Sequence, residues 1–157
     1  MILRWMMLIL FFVMTGCDAF INYQDDYIQE RSQMANAADA DVEFVRAVQR
    51  GDTWTFHVTV RHPDTGWDDY ADGWDVVLPD GTVAKPDADA PFTRLLLHPH
   101  ENEQPFTRSQ SGIVLPDNVA QVTVRAHDLV DGFGGVEVVV DLTRAGGDNY
   151  EVVRADD

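Results

Sequence analysis

Trp54-Thr55-Phe56-His57-Val58-Thr59-Val60-Arg61 alternates large apolar residues with polar ones through eight positions. Successive side chains of an extended backbone leave on opposite faces, so this pattern predicts a half-buried strand with Trp54, Phe56, Val58 and Val60 inward. Residues 120–127 and 136–142 repeat the pattern and are rich in β-branched side chains, which suit a pleated surface. Weaker alternation marks further strands near 41–48, 74–78, 93–97 and 106–115. Turn chemistry separates them at Arg50-Gly51-Asp52, Pro79-Asp80-Gly81, Pro116-Asp117-Asn118 and Gly132-Phe133-Gly134-Gly135. No sustained 3.6-residue period follows residue 40. The expectation is an all-β, antiparallel sandwich of about seven strands occupying residues 41–143.

With Trp74 in the third strand and a domain of about 100 residues, this layout resembles immunoglobulin-like and fibronectin type III-like sandwiches. The resemblance implies two packed sheets with loops gathered at either end. It lies in architecture alone, there being no pair of core cysteines, and so implies no function.

The chain begins with one positive charge, Arg4, an apolar run from Trp5 to Met14, and then Thr15-Gly16-Cys17. That is the layout of an export signal, and the run is short for a bilayer core of about 30 Å. Met14-Thr15-Gly16-Cys17 resembles the lipobox of bacterial lipoproteins, with methionine where that family mostly has leucine. The resemblance implies removal of residues 1–16, acylation of Cys17 and attachment to a membrane at the cell envelope, the domain facing the periplasm. Cys17 is the sole cysteine, which fits a lipid attachment point and excludes an intrachain disulfide. Residues 17–40 are polar and acidic and read as a tether lifting the domain off the lipid, and 144–157 reads as a C-terminal tail.

The chain of 157 residues carries 11 basic against 27 acidic side chains, a net charge of -16. Such a surface repels phosphate backbones, which excludes nucleic acid as a partner and suits a strongly solvated protein.

If consecutive strands reverse direction, the connections after the second, fourth and sixth strands emerge at one end. Four of the five histidines fall there, His57 alone lying mid-strand. Loops on a rigid sandwich are where binding residues concentrate. One reading is a metal site of His98, His100 and His127, with Glu103 or Asp128 completing or orienting it, a donor set suited to Zn²⁺ or Cu²⁺. His98 and His100 sit two residues apart, on the same side of an extended chain. His127 follows the inward set Val122, Val124 and Ala126 by one position, so it starts on the outer face. A Ca²⁺ variant rests on Asp64, Asp68, Asp69 and Asp72. A second reading is recognition of an envelope protein or glycan by Trp67, Tyr70 and Phe133, aromatic rings set among carboxylates. Catalysis is not expected. Ser32, Ser109 and Ser111 are the only serines and none sits in a nucleophile elbow.

Overall fold

The computed structural model describes residues 39–155. The export segment, Cys17 and all of the tether but its last two residues lie outside the described residues. Eight strands follow in order: β1 (Asp41–Arg50), β2 (Thr53–Arg61), β3 (Ala71–Val77), β4 (Arg94–Leu95), β5 (Phe106–Ile113), β6 (Gln121–Asp128), β7 (Val138–Asp141) and β8 (Tyr150–Arg154). They form two four-stranded sheets, ordered β5-β2-β1-β8 and β4-β3-β6-β7. The all-β sandwich expected from the alternation is the observed fold.

The inward set of β2 is the expected one, with Trp54, Phe56, Val58 and Val60 all buried. They face Val122, Val124 and Ala126 of β6 and Val138 and Val140 of β7 in one continuous core. Trp74, Phe56 and Ile113 are its largest fully buried side chains. Burying each such residue contributes about 1.5–3 kcal/mol relative to leaving it in water. The β1–β2 hairpin closes through the two residues between Arg50 and Thr53, and Gly51 supplies the left-handed backbone (φ 53°) that so short a loop requires.

Two features depart from the expectation. The segment 144–157 is not merely a tail, because β8 pairs with β1 from Val45↔Tyr150 to Gln49↔Arg154. That pairing is parallel, so the first sheet is mixed and not wholly antiparallel. In the second sheet β4 lies beside β3. Thr93, just before β4, anchors the long 78–93 crossover: its buried hydroxyl donates to the Ala84 carbonyl (2.6 Å) and accepts from the Val76 N–H (2.8 Å).

The strand directions bring four passes of the chain to one end: the approach to β1, and the connections β2–β3, β4–β5 and β6–β7. Asp41 is paired with Arg61 and Ala71 with Asp128, so β1 and β3 begin where β2 and β6 finish.

Candidate functional site

Alternation does not stop where β2 stops. His62 and Asp64 continue the inward phase of Trp54 to Val60, and both are buried while Pro63 between them is exposed. Proline holds the residue before it extended, which carries the phase past the strand. Asp128 likewise continues the inward phase of Val122, Val124 and Ala126 and is 0% exposed. Two sheets therefore each deliver a polar side chain to the end of the core.

Asp64 is the hub. Its Oδ1 accepts from His62 Nδ1 (2.7 Å) and the Ala71 N–H (3.2 Å), and its Oδ2 from the His100 N–H (2.5 Å). A carboxylate taking three donors places the imidazole proton of His62 on Nδ1. His62 Nε2, on the far side of the ring, is buried, has no hydrogen-bond partner and lies 3.6 Å from Asp69 Oδ1. Asp128 Oδ1 is occupied by the N–H groups of Val130 (2.9 Å) and Asp131 (2.6 Å), but its Oδ2 is buried and unpartnered. One ligand atom from each of His62, Asp69 and Asp128 falls within 4.8 Å of the others. Asp39, Asp128 and Asp131 form a second such group, sharing Asp128.

The backbone makes room for this. A Cβ on Gly134 would stand 2.3 Å from Asp39 Oδ1, and one on Gly135 would stand 2.3 Å from the Ala40 carbonyl oxygen. Only glycines let the β6–β7 loop lie flat on the approach to β1. The Val42 N–H donates to Val136 O (2.8 Å) and the Val136 N–H to Asp41 Oδ1 (2.7 Å), fixing the two segments together. Burial, then the neighbouring carboxylates of Asp131, Asp128 and Asp41, push the Asp39 carboxyl above its usual range, with His62 opposing.

The residues expected from the sequence are distributed differently. The rings of His98 and His100 do meet, with centroids 4.5 Å apart. His98 is exposed and its Nδ1 lies 3.1 Å from the Pro99 carbonyl. His100 is buried, stacked on Phe106 at 3.8 Å and 12°. His127 is held through Nδ1 by Asp72 Oδ1 (2.6 Å) and flanked by Phe92 and Phe133. Glu103 pairs with Arg108 (3.0 Å). Asp128 belongs with His62, so His98, His100, His127, Glu103 and Asp128 do not enclose one point. The alternation of β6 is the reason: it turns His127 outward and Asp128 inward. Of the aspartates considered for Ca²⁺, Asp69 enters the His62 group, Asp64 stands behind it and Asp72 serves His127.

Among the aromatic residues, Trp67 is 68% exposed and packs edge-on to Tyr70 at 6.0 Å. Phe133 lies apart from them, under the Arg125 guanidinium at 3.9 Å.

No protein-family profile matches the chain, and no solved structure matches it. The chain is similar to a protein of Halomicrobium mukohataei named "Putative lipoprotein", 40% identical over 109 residues. The match takes in 68% of this chain and 47% of that protein, so the chain spans about half the length of the curated relative it matches.

The sequence pattern located the end and two members of the group, Asp128 and, among the Ca²⁺ candidates, Asp69. It missed His62, Asp39 and Asp131. For His62 the signal was present, since the period-two phase of β2 runs on to it.

Proposed function

We propose that the chain is an envelope lipoprotein, anchored through Cys17 with its sandwich facing the periplasm, which binds a ligand or partner through the loop end. The observation that carries this reading is the 40% identity, over 68% of the chain, to a protein named as a lipoprotein, together with a sole cysteine closing an apolar export segment. The strand order supports an immunoglobulin-like classification: β1, β2 and β5 are neighbours in one sheet and β3, β6 and β7 in the other, with β4 and β8 added at the edges. Such a frame presents loops rigidly, and here three of the segments at this end carry buried polar atoms that lack partners. Exposed Trp67, packed edge-on against the half-buried Tyr70, offers a stacking surface for a glycan or an envelope protein beside that group. This reading assigns binding, not bond-making chemistry.

Growth with a clickable fatty acid tests the anchor. Wild-type chain is expected to take up label and to fractionate with membrane, while Cys17→Ser loses the label and either leaves the membrane or stays as uncleaved precursor. Wild-type chain without label would overturn the reading.

A further inference from the structure

We infer that the loop end holds a divalent cation of the first transition row, ligated by His62 Nε2, Asp69 and Asp128 Oδ2, with the carboxylates of Asp39 and Asp131, which form an adjoining group around Asp128, adding negative charge beside it. The inference deepens the proposed binding role of this end and rests on it. Five residues from three separate segments take part: the approach to β1, the β2–β3 connection, and the end of β6 with its following loop.

The spacing is that of a ligand shell. Ligands at about 2.0–2.2 Å from a common centre stand up to about 4.4 Å apart, and the atoms of His62, Asp69 and Asp128 all lie within 4.8 Å of one another. Two of them are buried and without hydrogen-bond partners. An unpartnered ring nitrogen and an unpartnered carboxylate oxygen in a closed site both cost free energy, and a cation between them satisfies both. Among the described residues no Lys or Arg forms a salt bridge with Asp39, Asp69, Asp128 or Asp131. Asp64 has the place of the outer partner that orients a metal-bound histidine: it accepts a hydrogen bond from Nδ1 and leaves Nε2 facing the group. The absent Cβ of Gly134 admits the Asp39 carboxylate to the adjoining group with Asp128 and Asp131.

Donor type selects the ion. Ca²⁺ and Mg²⁺ take oxygen ligands and gain little from an imidazole, whereas one nitrogen with several carboxylates suits Zn²⁺ or Mn²⁺. His98 and His100 take no part.

The full chain, detergent-solubilised and stripped with a chelator, is titrated calorimetrically with Zn²⁺, Mn²⁺ and Ca²⁺. The expected result is one equivalent of Zn²⁺ bound with Kd below about 10 µM and Ca²⁺ binding at least about tenfold weaker. His62→Gln and Asp128→Asn should each weaken Zn²⁺ about tenfold or more, and His98→Ala should leave it unchanged. Should the buried variants fail to fold by circular dichroism, the exposed Asp131→Asn decides, with an expected loss of about threefold or more. Absence of saturable Zn²⁺ and Mn²⁺ binding overturns the inference. So does binding that survives in the folded His62, Asp128 or Asp131 variants, or that disappears in His98→Ala. Fatty-acid labelling of Cys17 is independent of every arm, so the anchor and the cation site stand or fall separately.

Discussion

Two histidine-bearing regions sit side by side at the loop end and are used in opposite ways. His98 and His100 are two residues apart in sequence and their rings meet, yet the buried ring of His100 acts as a flat apolar filler against Phe106. What His100 contributes to the polar network is its backbone N–H, given to Asp64. The nearest histidine to His62, His57, is five residues away on the outer side of β2, but the His62 ring is held by Asp64 on one side and open on the other to Asp69 and Asp128. Closeness along the chain brings two rings together without supplying the carboxylates that complete a site. Strand phase, acting from two sheets at once, supplies them.

Because Asp64 joins the two regions, its removal gives the largest effect. Asp64→Ala leaves three buried donors without an acceptor, those of His62 Nδ1, Ala71 N and His100 N. The expected loss is about 3–5 kcal/mol, a large share of a domain stability of about 5–15 kcal/mol. Denaturant unfolding of the chelator-stripped chain measures it. A loss under about 1 kcal/mol would mean that Asp64 does not hold the regions together.

Substitutions in the filler region should do much less. His100→Phe keeps the stack on Phe106 and removes two ring nitrogens that have no partners, so stability at neutral pH is expected to stay within about 1 kcal/mol of wild type. Its pH dependence should change more clearly. Burial, with Arg108 and His98 adding to it, holds the His100 imidazole below the ordinary histidine range, while Asp64 and Glu103 oppose the shift. A folded-state value below the unfolded one means that the fold favours the neutral ring. That contribution is complete above the unfolded value of about 6.5 and is lost as pH falls through the folded value. The variant should therefore lose less stability than wild type on acidification below about 6.5. An identical acid limb, or a steeper one, would contradict this assignment. Smaller still is His98→Ala, at an exposed position, where a change within about 0.5 kcal/mol is expected.

The sandwich was readable because its strands are half-buried and alternate strictly, as Trp54 to Val60 and Val122 to Ala126 show. β8 was not, because Tyr150–Arg154 is five residues long with only Val152 fully turned inward, and its parallel partner β1 is remote in sequence. β7 begins at Val138, leaving Val136 exposed, since the glycine loop before it is committed to the approach to β1. The loop end was readable from strand reversal. Its membership was not, because Asp39 reaches Asp128 and Asp131 only through the close passage of two backbones at Gly134 and Gly135. Asp69 reaches it through a turn bridged to Gly66, whose φ of 121° few other residues adopt. Neither contact leaves a periodic trace in the sequence.

The most direct test of the central claim, that His62 and not the His98–His100 pair is the working imidazole of this end, is the ring-nitrogen spectrum of the histidines. Long-range ¹H–¹⁵N correlation on the chelator-stripped chain reports the protonation of each ring nitrogen, with assignment by single His→Gln variants. His62 is expected to show a protonated Nδ1 and a bare Nε2, and addition of one equivalent of Zn²⁺ should move the Nε2 resonance while those of His98 and His100 stay in place. A His62 ring protonated on both nitrogens and indifferent to Zn²⁺, or a Zn²⁺ response confined to His98 and His100, would contradict the account.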